Sequence, residues 1–180
     1  MKKMLFAVFA LAIIASCNNE KTKEEKMSGE KKETAVSSPP DLPYKMLYTN
    51  WEMGDPKNLK MVLDMYKNWE DNKLDAVASN FGDSAIFEMA AGVRLMTTKQ
   101  SLLDSLKSWR GQSDKLSSDI ITGLSMHSPE KNEDWVLIWA MNHSTDKAGK
   151  VDSVFSNDNW QVKNGKLVYL SSLEQKPIKP

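Results

Sequence analysis

The sequence has little of the chemistry that usually marks an enzyme's active site. Its 180 residues contain one cysteine, Cys17, and two histidines, His127 and His143. No intramolecular disulfide can form, and two histidines with no acid at ligand spacing make no metal motif. The glycine-rich loops that bind nucleotide phosphates and the Gly-x-Ser-x-Gly turn of many hydrolases are absent too. We therefore expect no metal and no cofactor.

The sequence also has no excess of either charge and no long apolar run. The 24 Lys and Arg residues balance 24 Asp and Glu residues, which argues against a nucleic-acid partner and against a polybasic membrane patch. The longest apolar run, Met4–Ile14, is shorter than the roughly 20 residues with which a helix crosses a bilayer. The length leaves room for one domain with additional segments.

Residues 1–16 have the three parts of a signal peptide. Lys2 and Lys3 provide the positive start, an apolar run comes next, and Ala15-Ser16 are the small residues expected before a cleavage site. The pattern therefore predicts a secretory signal.

The segment Ile14-Ala15-Ser16-Cys17 resembles the bacterial lipobox, whose cysteine receives lipid. This resemblance implies cleavage before Cys17 and diacylation of its sulfur, usually with acylation of the new amino group. Two or three acyl chains anchor a protein stably where one does not. We therefore expect a lipid-anchored protein of the bacterial cell envelope, with Cys17 as its link to the membrane. The alternative is an ordinary secretory signal with an incidental cysteine after it.

The next segment, residues 17–45, is expected to be the lipidated cysteine and a disordered tether. Asn18–Lys45 contains six lysines, six acids and almost no apolar residue before Val36. Such a composition buries too little apolar surface to offset the entropy of the chain. The folded domain is therefore placed at residues 46–180.

Apolar residues at helical spacing predict three amphipathic helices in the domain. Asp55 caps and Pro56 begins the first, which runs to Trp69. Its buried stripe is predicted to be Leu59, Val62, Leu63, Tyr66 and Trp69, with Met61 and Met65 on the flank. The second helix runs from about Leu74 to Phe81. The third runs to Trp109 behind a capping box of Thr97 and Gln100.

Alternating or continuous apolar residues predict the strands. They are Ser84–Glu88, Val93–Met96, Leu116–His127, Asp134–Thr145, Lys150–Val162 and Leu167–Leu173. The fourth is apolar on both faces at its start, so it should be central and covered on both sides for part of its length. Asn164-Gly165 predicts a two-residue hairpin before the last strand. Helices followed by consecutive antiparallel strands predict an α+β domain with the helices on one face of a curved sheet.

The stretch after the first helix carries a family resemblance. An acidic turn at Trp69–Asp71 with Asn72 is followed by a second helix that ends near Phe81 and Asp83, and a strand comes next. This run resembles the SnoaL-like branch of the nuclear-transport-factor-2-like superfamily, and the likeness extends over about Asp55 to Lys176. It implies a cone-shaped, strongly curved, mainly antiparallel sheet packed on three helices, a cystatin-like α+β roll around an apolar pocket. Relatives often dimerise through the outer sheet face, so a homodimer is expected as well.

The family's ketosteroid isomerases use an Asp base, with a Tyr and a protonated Asp holding the oxyanion. Here the base position falls at Met89, which cannot take a proton, and strand alternation points Glu88 to the opposite face. The tyrosine position falls at Met65, beside Tyr66. Only Asp158 matches, as the acid of the pocket wall two residues before Trp160. No catalytic residue is assigned.

The candidate pocket residues are Tyr66, Met89, Trp139, His143, Asp158 and Trp160. For Asp158 the pattern favours a strand-end or surface carboxylate over a pocket role. For His143 it favours a partly exposed position near a strand end over a pocket imidazole, and the tryptophans are more typical of core than of ligand stacking. The leading hypothesis is an envelope lipoprotein whose domain binds a small, largely apolar ligand. Two alternatives remain: an isomerase or dehydratase-like enzyme using Asp158 with His143 or Tyr66, and a non-catalytic dimerisation module.

The anchor is tested by replacing Cys17 with Ser and fractionating cells. Because the serine cannot accept the thioether-linked lipid, we expect the protein to leave the membrane pellet while the native chain stays in it. Retention of the Cys17→Ser variant in the pellet would refute the lipid anchor.

Overall fold

The structure is a computed structural model that describes residues 41–177 of the chain. Of these, residues 44–177 belong to one compact unit. The predicted signal, lipobox and most of the predicted tether lie outside the described residues. Within residues 41–177, no helix is long and apolar enough to cross a membrane.

The helices are α1 (Pro56–Glu70), α2 (Leu74–Ser79) and α3 (Lys99–Arg110). Asp55 caps α1 as predicted, because its side chain accepts a hydrogen bond from the Lys57 amide. The cap of α3 is one residue later than predicted, since the Thr98 hydroxyl, rather than that of Thr97, accepts from a helix amide, that of Ser101. Each cap satisfies an amide that the first turn would leave without a partner.

The strands form one sheet of seven, in the spatial order β1-β4-β5-β6-β7-β2-β3. They are β1 (Glu52–Met53), β2 (Phe81–Met89), β3 (Val93–Thr98), β4 (Ser113–Ser128), β5 (Glu133–Asp146), β6 (Val151–Lys163) and β7 (Lys166–Gln175). Among the strand pairs of residues 41–177, only that of β2 with β7 is parallel. The predicted α+β class, with three helices on a mainly antiparallel sheet, is confirmed; the short strand β1 was not predicted.

The helices cover one face of the sheet, which we call the inner face. The core between them includes Val62 of α1, Leu102 of α3 and Ile138 of β5, each fully buried. The prediction placed Met65 on the flank of α1, but Met65 is 5% exposed and belongs to this core. The buried stripe of α1 is therefore centred between Val62 and Met65, one turn apart, while Tyr66 and Trp69 pack beside it.

Two boundaries differ from the prediction around Phe81. The second helix ends at Ser79, and Phe81 is the first residue of β2 rather than the last of α2. Phe81 is still buried, at 3% exposure. The apolar residue thus reaches the core from a strand, because helical spacing over six residues cannot specify where a helix ends.

Strand β5 lies between β4 and β6, as its apolar sequence predicted. Its inner residues Val136, Ile138 and Ala140 are fully buried, but Trp139 on the outer face is 43% exposed. The expectation that β5 is covered on both sides is therefore wrong for the outer face. The helices can reach only one side of a single sheet.

The predicted hairpin is confirmed at Asn164 and Gly165, which have φ angles of 53° and 69°. Both residues are left-handed, as a type I′ turn requires. A register shift lies between Gln161 and Val162 in the pairing of β6 with β7. This bulge decides which residue of β7 lies beside Asp158.

Candidate functional site

A cavity of about 430 Å³ lies between the helices and the inner face of the sheet, and it is partly open to solvent. Its walls are mostly apolar. The aromatic wall residues are Tyr66, Trp69, Phe81, Phe87, Trp109 and Trp160. Cavities of about 300–1,000 Å³ with apolar walls and a few polar groups are typical of small-molecule sites. Most of the pocket residues predicted from the sequence lie in the wall of this cavity.

Asp158 is the polar centre of this cavity. It lies on the inner face of β6 and is 7% exposed. The hydroxyl of Ser172 on β7 donates to its Oδ1 at 2.6 Å. The hydroxyl of Ser156, two residues earlier on the same face, donates to Oδ2 at 3.2 Å. The Tyr66 hydroxyl of α1 also donates to Oδ2. Three elements of the fold therefore converge on one carboxylate.

The network continues beyond the carboxylate. Asn142 of β5 donates from its Nδ2 to the Ser156 hydroxyl at 2.9 Å. That hydroxyl in turn donates to Asp158, so the amide orients it toward the carboxylate. Charge-assisted hydrogen bonds of this kind are stronger than neutral ones. They let a carboxylate remain in a largely apolar site without a cationic partner.

Burial and hydrogen bonding act in opposite directions on Asp158. Burial raises the pKa of its carboxyl above the ordinary value, while the hydroxyls of Ser172, Tyr66 and Ser156 lower it. The raised pKa shows that the hydroxyls only partly offset the cost of burying the charge. Asp158 is thus a carboxyl that gains a proton more readily than an exposed aspartate.

Tyr66 responds to the same surroundings. Burial, the charge of Asp158 and the hydrogen bond to it raise the pKa of the Tyr66 phenol well above its usual value. The indole N–H of Trp160 lowers that pKa and so opposes part of the rise. The Trp160 N–H is nevertheless not in hydrogen-bonding geometry with the Tyr66 hydroxyl. This buried N–H has no hydrogen-bond partner among residues 41–177.

Trp160 also organises the aromatic wall. Its ring meets those of Phe81, Phe87 and Tyr66 edge-on, with centroids 6.0 to 6.5 Å apart. Edge-to-face pairs of this kind are favoured because the positive ring edge faces the negative ring face. The wall beside the carboxylate is therefore rigid as well as apolar.

The structure places Met89 in the cavity lining and Glu88 on the outer face, as strand alternation predicted. The outer-face position of Glu88 follows from its contacts, because its carboxylate accepts from the Tyr169 hydroxyl at 2.6 Å and lies 3.4 Å from Arg94 Nε. The Met89 thioether in the lining cannot take a proton. Asp158 remains the acid in the cavity nearest to Tyr66.

His143 does not join Asp158. It lines the cavity, but its ring nitrogens contact Ser153 Oγ at 2.8 Å and Asp119 Oδ2 at 3.2 Å. Ser153 and Asp119 both lie on the outer face, opposite Asp158, by strand alternation. The pairing of Asp158 with His143 as an acid–base couple is therefore wrong.

Trp139 is a second departure from the predicted pocket. It lies on the outer face and does not line the cavity. The surface interpretation favoured for Asp158 is wrong as well, since the residue is buried in the middle of β6. Five members of the predicted pocket set line the cavity, namely Tyr66, Met89, His143, Asp158 and Trp160. That these residues bind a ligand stays a prediction.

Sequence reasoning missed the hydroxyls that hold Asp158. Ser156 had a detectable signal, because it shares the alternating face of β6 with Asp158. Ser172 had none, because the unbulged hairpin would place Ser171 opposite Asp158 and the bulge beside Gln161 moves Ser172 there. Within residues 41–177, no cluster of acids, histidines and cysteine has the geometry to hold a metal ion.

Comparisons with known proteins show the fold. The sequence matches no protein-family model, and no curated protein matches it significantly. An LEH-like epoxide hydrolase of M. tuberculosis superposes with a TM-score of 0.57 at 12% identity, covering 67% of this chain and 84% of that one. An NTF-2 like protein of unknown function from Burkholderia xenovorans gives 0.52 at 14% identity, covering 72% and 91%. A Shewanella denitrificans protein assigned as a SnoaL-like polyketide cyclase gives 0.55 at 11%, covering 67% and 91%. The chain therefore has the fold of SnoaL-like and NTF2-like proteins.

Replacing Tyr66 by Phe removes one donor to Asp158 and keeps the ring. Because that hydrogen bond favours the ionised carboxylate, the pKa of Asp158 should rise further and the fold should lose about 1–3 kcal/mol at neutral pH. A folded-state pKa above the unfolded one means that protonation favours the fold. Part of the loss should therefore return as pH falls through the folded-state pKa. Carboxyl-carbon NMR titration and urea unfolding at several pH values measure both effects.

Tyr169→Phe is the matched control. It removes a phenol that donates to Glu88, whose side chain is 42% exposed on the outer face. It should cost less than about 1.5 kcal/mol and leave the pKa of Asp158 unchanged. An Asp158 pKa that does not move in Tyr66→Phe would show that the phenol does not stabilise the carboxylate.

Proposed function

We propose that this domain binds a small, largely apolar molecule in its cavity, with Asp158 and Tyr66 as the polar anchor. The observation that carries the proposal is a cavity of about 430 Å³ with aromatic walls and one buried, hydroxyl-bound carboxylate. A carboxylate excluded from water is costly to the fold. Its presence in an otherwise apolar wall is explained if a ligand uses it.

The proposal includes the envelope anchor that the sequence predicts. Lipidation at Cys17 would hold the domain at a bacterial membrane, with residues 18–45 as the tether. This part is supported by the signal and lipobox pattern of residues 1–17, which precedes the described domain. A membrane-tethered cavity would meet apolar molecules that partition into or cross the envelope.

An enzymatic role is the second candidate, and the Tyr66–Asp158 contact favours it. A phenol and a carboxyl with raised pKa, in direct hydrogen bond, can hold and move one proton beside a bound molecule. The M. tuberculosis neighbour is an epoxide hydrolase and the Shewanella neighbour is assigned as a polyketide cyclase. For this chain, Met89 removes the isomerase base, so such an activity would rest on Asp158 and Tyr66 alone.

Binding is tested by filling the cavity. Val154 lines it, whereas Val151 on the same strand is 62% exposed and does not. Val154→Phe should weaken the binding of a neutral apolar dye such as N-phenyl-1-naphthylamine at least fivefold, because the added ring occupies ligand space. Val151→Phe, which makes the same change outside the cavity, should alter it less than twofold. Dye fluorescence titration measures both, and equal affinities in the two variants would refute binding in this cavity.

The dimerisation module is the third candidate, favoured by the outer face of the sheet. Trp139, Asn157 and Leu173 lie in one row across β5, β6 and β7. Trp139 and Leu173 are 43% and 65% exposed. Asn157 separates these two large apolar side chains, and exposed apolar groups of this size are often covered in a protein interface. We propose a homodimer that covers it.

Trp139→Lys should convert that dimer to a monomer, because a lysine facing its own copy buries charge in an apolar contact. Tyr44→Lys, at a residue 82% exposed and outside the sheet, should leave the dimer intact. Light scattering of residues 44–180 measures the mass. A native chain that stays monomeric at high micromolar concentration would rule out this interface.

A further inference from the structure

We propose that the molecule bound in the cavity is a cationic amine with an apolar body, whose ammonium group donates to Asp158 Oδ1. This inference rests on the proposed binding function and names the chemical class of the ligand. It follows from three features of the cavity: its charge, the unused acceptor on Asp158, and its aromatic wall.

The first feature is charge of a single sign. Among the described residues that line the cavity, only Asp158 and Glu174 carry a formal charge at neutral pH, and none is a lysine or arginine. Glu174 faces Ser156 across the β6–β7 pair, one inner-face position beyond Ser172, or about 7 Å along the strand. It is exposed at the cavity mouth. His143 borders the cavity but turns its ring to Ser153 and Asp119.

A cavity lined in this way attracts cations and repels anions. The field of two acids is not cancelled within the cavity, and the apolar walls weaken its screening. An anionic ligand would bring a third negative charge beside Asp158 with no counter-charge. A neutral ligand would gain no Coulombic attraction to the two acids.

The second feature is an open acceptor position on Asp158. An ionised carboxylate has about four lone-pair positions. Among the described residues, Tyr66 and Ser156 donate to Oδ2, and Ser172 alone donates to Oδ1. One position on Oδ1 is therefore free for a further donor. All three present donors are neutral hydroxyls, so a charged donor would be the first to compensate the carboxylate's charge.

The third feature is the wall around that position. Trp160 and Tyr66 line the cavity next to the carboxylate, and Phe81 and Phe87 continue the wall. Aromatic faces attract a cation within about 6 Å of the ring centroid, Trp most strongly. The same rings bury the apolar body of the ligand. The carboxylate and the aromatic wall thus favour the same class of ligand, an ammonium group attached to a hydrocarbon body.

The test uses three probes with one rigid body and different charges: 1-adamantanamine, 1-adamantanol and 1-adamantanecarboxylate. At neutral pH they are a cation, a neutral molecule and an anion. Calorimetric titration of the full native chain should give the amine a dissociation constant at least tenfold below that of the alcohol. The carboxylate should bind more weakly than the alcohol.

Variants locate the selectivity. Asp158→Asn keeps the shape and removes the charge, so the amine-to-alcohol affinity ratio should fall from at least ten to three or less. Asp119→Asn is the control, since Asp119 is an acid of the outer face with a side chain 81% exposed, and the ratio should stay unchanged. If Asp158→Asn does not fold, as judged by circular dichroism, the order of the three probes on the native chain decides the question.

The outcomes separate the inference from the proposed function. Alcohol binding as tight as amine binding, or carboxylate binding tighter than either, overturns charge selection while the apolar binding function stands. No binding of any probe at millimolar concentration overturns both. An amine preference that Asp158→Asn abolishes and Asp119→Asn leaves intact supports the inference.

Discussion

The structure depends on how the carboxyl group of Asp158 is accommodated in an apolar interior. A buried carboxylate without partners is strongly unfavourable, so donors must be brought to it. Tyr66 comes from α1, Ser156 from β6 and Ser172 from β7. The same three hydrogen bonds that satisfy the charge therefore join the first helix to the sheet and hold one wall of the cavity in place.

The two faces of the sheet have different surroundings. Because strand residues alternate, each inward residue leaves its neighbours outward. The inner face buries the core and the carboxylate, while the outer face exposes Trp139 and Leu173. A substitution on one face therefore leaves the side chains of the other face unchanged. This is why the proposed ligand binding and the proposed self-association can be tested with separate variants.

Much of the architecture was predictable from local patterns, and less of the site. The cap at Asp55 and the Asn164-Gly165 hairpin depend on short stretches of chain, and both are present as predicted. The predicted end of α2 is wrong because Phe81 fits helical spacing although it belongs to β2. The prediction of Trp139 as a pocket residue is wrong because alternation states that two residues share a face, not which face the helices cover. His143 does line the cavity, but its ring contacts Ser153 and Asp119 instead of Asp158.

The sequence by itself determined the order of elements, the apolar faces and the residue types at Asp158 and Met89. The tertiary structure alone decided what those residues meet. A bulge beside Gln161 puts Ser172, not Ser171, against Asp158, and the rotation of α1 aims the Tyr66 hydroxyl at the same carboxylate. The physical reason is that a one-residue shift in register or a small helix rotation costs little locally. Such a shift or rotation changes the contacts across the cavity. Which register and which rotation the chain adopts is decided by the packing of elements that are distant in sequence.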